Sequence, residues 1–265
     1  MPAAPKRVPR FLTVKSTRYL SKHMIRVTFA GPELDGFHVN QEGANCKLVL
    51  PRVGETRENF EAHFKSEGPQ ERMHPVRTYT VRSYREETRE LDIDFVAHGD
   101  QGPATLWAQQ AETGSFLGFM GPSQKKIKDY YADWYLVAAD LSAMPIAEAT
   151  LEAMPKDARG VALFEVPDFA DVREVSVPDG IDVYWLVHSD PHTPSTSQVD
   201  FITSMDWPAG VVQTCIAGES SVIRTLRHYL HNERKLPKSD VYISGYWKIG
   251  LVEDEHQKMK RAEAA

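Results

Sequence analysis

The chain has 265 residues, enough for two medium domains or one large one, and its 42% hydrophobic and 26% charged content is that of an ordinary folded protein. A net charge of −6 with no dominating basic stretch argues against a nucleic-acid binder, though not against a local cationic pocket. Cys46 and Cys215 form no CxxC or zinc pattern and are expected as buried thiols; neither a signal-like apolar core in MPAAPKRVPRFL nor a run of about 18 apolar residues is present, so a cytoplasmic protein without membrane insertion is expected.

In chain order, residues 8–128 read as β, with candidate strands at RFLTVKSTRYL, MIRVTFA, NCKLVLP, RTYTVRSY, ELDIDFVAH and SFLGFMGP. These six segments, separated by Gly, Pro and polar turns, predict a small antiparallel barrel. A polar excursion from Arg52 to Met73 shows no clear periodicity and reads as a mobile loop. From 129 to 250 the rhythm changes to short apolar runs, DWYLVAAD, GVALFEV, IDVYWLVH, VVQTCIAG and DVYISGYW, of the kind found in strands covered on both faces. Ala147, Leu151 and Met154 mark one helix between them, and Val222, Leu226, Tyr229 and Leu230 another. Alternating strands and helices predict a doubly wound parallel α/β domain. Residues 190–200 read as a loop, and 251–265 as a polar, helical tail.

Within the β half, the stretch HPVRTYTVR alternates like a strand, placing Arg77 and Tyr79 on one side and Thr78 and Thr80 on the other. Arg82 reads as an ordinary surface charge. Next, LDIDFVAHGDQGPATLWA runs a strand through a Gly-containing turn into a helix starting at Pro103, whose unpaired backbone N–H groups form an anion site beside Ala104, Thr105 and Leu106. In the α/β half, AGESSVIRTL places Gly218 and Glu219 at a helix start suited to a nicotinamide or phosphate contact, or else simply a helix capped by Ser220 or Ser221. G-x-G-x-x-G is absent, and EVPDFADVRE offers no basic cluster for a 2′-phosphate. The ten histidines make no HExxH pattern, so no protein metal site is expected.

A barrel followed by an α/β domain, with Arg77-Thr78-Tyr79-Thr80 matching R-x-Y-[ST], resembles the ferredoxin-NADP reductase-like flavoproteins. HPVRTYTVR, then LDIDFVAHGDQGPATLWA, then GYWKIG, in that order from about Arg10 to Glu255, more specifically resembles the siderophore-interacting proteins, or ferric-siderophore reductases. The resemblance implies a six-stranded FAD-binding barrel and an NAD(P)H-binding-like α/β domain. FAD would be bound by Arg77 at a phosphate, Tyr79 against the isoalloxazine, Thr78 and Thr80 (the latter near N5), the segment Asp94, Phe95, Val96, Ala97 and His98, the turn Ala104, Thr105 and Leu106, and the pair Tyr246 and Trp247. It also points to Lys47 and Lys248 as charges facing an anionic ferric siderophore; from the sequence alone, Lys125 and Lys126 are plausible additions.

The implied activity is FAD-dependent reduction of Fe(III) in a siderophore, in a monomeric enzyme drawing electrons from NAD(P)H or a reduced ferredoxin. A general flavin or ferredoxin reductase, and a siderophore-binding protein without redox activity, are the alternatives.

Overall fold

The computed structural model describes residues 9–66, 74–97 and 102–251. His98 and the expected tail helix beyond Leu251 lie outside the described residues. The chain divides into two compact units, Met1–Lys126 and Ile127–Ala265.

The first unit contains β1 (Pro9–Ser21), β2 (Met24–Ala30), β3 (Asn45–Val49), β4 (Val76–Thr80), β5 (Ser83–Arg85), β6 (Glu90–Val96) and β7 (Phe116–Met120). They form one antiparallel sheet in the order β4-β3-β7-β1-β2-β6-β5. The segment RTYTVRSY is thus two strands, and the sheet has seven members where the sequence suggested six. The break falls where two consecutive residues bond to opposite sides of the sheet. Val81 N–H donates to Ala44 O (2.9 Å), beside β3, and Arg82 N–H donates to Asp92 O (3.0 Å) on β6. The chain therefore steps from one sheet edge to the other within two residues, and the sheet closes as a barrel.

Strand alternation fills that barrel. Ile25, Val27 and Phe29 from β2, Leu91, Ile93 and Phe95 from β6, and Leu117 and Phe119 from β7 form one buried cluster. The excursion after β3 holds a helix, α1 (Arg57–Ser66), where the sequence suggested only a mobile loop. Its apolar contacts are Phe60 and Phe64, which pack with Phe11, Val49, Val76, Phe116 and Met120 on the outer side of the sheet. Gly118 makes this docking possible, since a Cβ there would lie 2.5 Å from the Phe64 ring. A second helix, α2 (Pro103–Gln110), follows β6.

The second unit is a five-stranded parallel sheet of β8 (Trp134–Asp140), β9 (Arg159–Val166), β10 (Gly180–Val187), β11 (Val212–Glu219) and β12 (Val241–Trp247), in the order β10-β9-β8-β11-β12. Helix α3 (Met144–Ala153) follows β8 and is buried from Met144 to Leu151. Helix α4 (Ser197–Ser204) begins inside the stretch that reads as a loop in the sequence. Helix α5 (Ser220–His228) runs on into one π turn, Tyr229–Glu233. At the sheet edge β10 is half covered, with Tyr184 and Val187 exposed, so its apolar run does not signal burial on both faces. Because β8 is central, the sheet reverses direction between β8 and β11, and the carboxyl ends of these two strands form its topological switch point.

Candidate functional site

In the first unit, β3 and β4 set Lys47 opposite Thr78, Cys46 opposite Tyr79 and Leu48 opposite Arg77. Lys47 Nζ donates to Thr78 Oγ1 on the outer side of the sheet. Tyr79 lies on the core side, half buried, with its ring 4.5 Å from that of Phe95, which in turn is 5.6 Å from Trp107 of α2. Arg77 is half buried and donates from Nη1 to Val76 O (3.0 Å). Thr80 is buried at the end of β4.

The start of α2 could hold an anion. Gly102 occupies the N-cap without a side chain to satisfy the first N–H groups, and Pro103 has no N–H to offer. Ala104 and Thr105 supply the backbone donors at this end, while the Leu106 N–H already donates to Gly102 O (2.9 Å). Thr105 Oγ1 donates to Val96 O (3.0 Å), locking the helix start against the end of β6. The chemistry fits an FAD: backbone donors and a guanidinium for phosphates, and an aromatic side chain at the end of the motif strand for a flat ring.

Phe95, Val96 and Ala97 belong to the barrel wall, Phe95 wholly inside the core. Asp94 faces the other way. Its carboxylate takes a bidentate pair from Arg26, Nε to Oδ1 and Nη2 to Oδ2, both 2.7 Å, and Arg82 Nε stands 3.9 Å away. The side chains are 12% (Arg26), 1% (Asp94) and 8% (Arg82) exposed, so Arg82 is a buried counter-charge and not a surface residue. Asp94 is spent on this cluster. Its neighbour Asp92 is held likewise by Arg85 (2.7 and 3.0 Å) and Thr28 (2.7 Å). Burial pushes the Asp92 carboxyl up, but Arg85 and Thr28 outweigh it and hold the group below the usual carboxylate range.

In the second unit the switch point gathers Asp140, Gly218 and Trp247. Asp140 ends β8, and its Oδ1 accepts from Ser142 N (2.9 Å), Ser142 Oγ (2.6 Å) and Ala143 N (3.2 Å), turning the chain into α3 without a glycine-rich loop. Its Oδ2 accepts from Trp247 Nε1 at 2.7 Å. Gly218 has φ +153°, and a Cβ there would lie 2.6 Å from Asp140 Oδ2. Burial pushes the Asp140 carboxyl up, and burial together with the nearby Asp140 charge does the same to Glu165, its register partner on β9.

Glu219 is itself the N-cap of α5, accepting from Ser221 N (2.6 Å) and Val222 N (3.3 Å), a role the sequence suggested for Ser220 or Ser221. Its other oxygen accepts from Ile249 N (3.3 Å), and Ser220 Oγ donates to Trp247 O (2.7 Å). Three residues thus fix the segment from Trp247 to Ile249. Trp247 is 36% exposed and so is not core packing, while Tyr246 OH lies 3.2 Å from Tyr242 OH. Lys248 follows Trp247 and is half buried; Lys125 is half buried and Lys126 exposed at the end of the first unit. The sequence did not single out Asp140; its signal was the acid closing the first strand of a doubly wound sheet.

An antiparallel barrel with an open helix start, followed by a parallel sheet with its first strand central, is the architecture of the ferredoxin-NADP reductase-like flavoproteins. The family model for the siderophore-interacting FAD-binding domain matches residues 13–126, and that for the siderophore-interacting protein matches residues 132–250. The chain belongs to the siderophore-interacting protein family. It is 36% identical over 254 residues to the ferric vibriobactin reductase ViuB of Vibrio cholerae, covering 94% of this chain and 93% of that one. It is 30% identical over 262 residues to the NADPH-dependent ferric-chelate reductase of Escherichia coli, covering 93% and 97%. Among solved structures, the siderophore-interacting protein SipS from Aeromonas hydrophila superposes with a TM-score of 0.84 at 30% identity, covering 98% of this chain and 99% of that one.

Proposed function

We propose that this protein is an FAD-dependent oxidoreductase that reduces Fe(III) held in a siderophore and draws its electrons from NAD(P)H in the cytoplasm. The observation that carries the reading is the pairing, within one unit, of the Arg77–Thr80 strand with the uncapped start of α2. Arg77 and the N–H groups of Ala104 and Thr105 hold the phosphates of FAD, each charge-assisted bond contributing about 1.5–3 kcal/mol. Tyr79, fixed against Phe95, orients the ring. FAD, when bound there, would supply the redox chemistry that links a two-electron nicotinamide donor to a one-electron ferric acceptor. Lys47 of the first unit, directed by Thr78, carries a charge suited to attracting an anionic ferric complex, and so, on its own unit, does Lys248. Once ferrous, the iron is held less firmly by hard oxygen donors and leaves an intact siderophore. Gly218 keeps the crevice above β8 and β11 open to the nicotinamide nucleotide, and Asp140 holds Trp247 at its rim. The name of the Escherichia coli relative supports NADPH as the nucleotide.

The test is anaerobic: yellow protein is incubated with NADPH, NADH or reduced ferredoxin, then mixed with ferric hydroxamate, catecholate or carboxylate complexes and a ferrous chelator. Chelated Fe(II) should form with a nicotinamide nucleotide and at least one siderophore class. Protein that purifies colourless and cannot be loaded with FAD, or that releases no Fe(II) from any class, defeats the reading.

A further inference from the structure

On the outer side of the barrel, the chain between β3 and β4 brings together three side chains far apart in sequence. Glu55 Oε1 lies 3.1 Å from His63 Nδ1, and both Glu55 oxygens face His74 Nε2 at 3.1 and 2.9 Å. All three ligand atoms lie within 4.8 Å of one another, which no other group of histidine, cysteine and acidic side chains achieves among the described residues. We propose that Glu55, His63 and His74 form a binding site for a divalent first-row transition-metal ion, independent of the flavin reading.

Two imidazoles and one carboxylate are the borderline donor set that zinc and ferrous iron take, and three protein ligands leave a coordination position open. With metal–ligand distances of about 2.0–2.2 Å, tetrahedral ligand atoms stand roughly 3.3 Å apart, so the observed carboxylate–imidazole separations need almost no adjustment. The site is also preorganised. His74 is fully buried, edge-on to Phe60 with ring centroids 5.0 Å apart, and Phe60 is anchored in the cluster beneath α1. The Glu55 carboxylate is 7% exposed and is oriented by the Arg52 N–H, which donates to Oε2 at 2.9 Å. His63, on α1, is 44% exposed and provides both the adjustable ligand and the way in. Both cysteines are buried, with the Cys215 thiol pushed up to about 12, so neither competes for the ion.

The test uses untagged, FAD-loaded full-length protein, stripped of metal by a chelator and titrated with Zn2+, and anaerobically with Fe2+, against a chromophoric competitor. One equivalent of Zn2+ or Fe2+ should bind at neutral pH, and Mg2+, which demands oxygen ligands, should not. His63→Ala, which removes a half-exposed ligand, should weaken binding by more than the roughly 10- to 100-fold typical of losing an outer-shell partner, with melting temperature and flavin content unchanged. X-ray absorption of the zinc-loaded wild type provides a readout without any variant and should show two imidazole nitrogens in the first shell. Absence of stoichiometric binding, equal affinity for Mg2+, equal affinity in His63→Ala, or a first shell without imidazole overturns the proposal.

Discussion

Asp94 offers a sharp test of what holds the barrel wall, because a flavin ligand and a structural counter-charge respond oppositely to its removal. Asp94→Ala leaves Arg26 and Arg82 sharing a nearly dry space with no carboxylate between them; their side chains are 12% and 8% exposed. Breaking a buried pair by deleting one partner costs about 3–5 kcal/mol. For a unit of this size, Met1–Lys126, each kcal/mol shifts the melting temperature by about 3–6 °C, so the barrel transition should fall by roughly 10–30 °C. Asp94→Asn keeps the shape but not the charge and should lie between. The assay is thermal unfolding followed by circular dichroism at saturating FAD, paired with an FAD titration at low temperature, where both variants stay folded. Stability should drop while FAD affinity holds within about twofold. A melting temperature within about 3 °C of wild type, together with FAD binding weakened tenfold or more, would refute the reasoning and return Asp94 to the cofactor.

Other outcomes follow from the same geometry. Asp140→Asn replaces one acceptor oxygen by a donor facing Trp247 Nε1 or the Ser142 and Ala143 N–H groups; NAD(P)H-driven turnover should fall about tenfold and tryptophan emission shift to the red, at unchanged flavin content. Gly218→Val places a branched side chain against Asp140 Oδ2 at φ +153°, and should raise the KM for the nucleotide at least about tenfold while dithionite-driven Fe(II) release is unchanged. Lys47→Ala and Lys248→Ala should each raise the KM for an anionic ferric siderophore with FAD retained; loss of FAD in both would show that these lysines are misassigned. Because the folded-state pKa of Asp92 is depressed, its stabilisation is complete above the unfolded carboxylate value near 3.9 and is lost as pH falls through the lower folded value; melting temperature should therefore decline below about pH 4, and less steeply in Asp92→Asn.

The strands of both units were legible because alternating or continuous apolar runs record which faces are buried, as in Ile25, Val27 and Phe29 or in DWYLVAAD. The motif residues Arg77 to Thr80 were legible because four adjacent positions carry them. Helix α1 was not, since only Phe60 and Phe64 bury a face in a run otherwise polar, and Gly118, which admits Phe64, lies 54 residues later in sequence. The resemblance placed Asp94 among the flavin contacts, and nothing local announces that the β2 register sets Arg26 opposite it. Glu55, His63 and His74 share no motif spacing; the helix between β3 and β4 brings them together. Ser220 and Ser221 looked like caps by residue type, whereas the extended backbone at Glu219 gives that role to the longer carboxylate.

The step at Val81 and Arg82 makes the motif strand one lip of a seam. Residues Arg77–Thr80 pair with β3 alone, and two residues later the chain fastens to β6. A ligand gripped there grips the barrel's fastening as well, so affinity for it and resistance of the seam to opening are one linked quantity. Stripping the ligand should be felt first at the amides of Val81 and Arg82, as faster hydrogen exchange, before the strands on the far wall register any change.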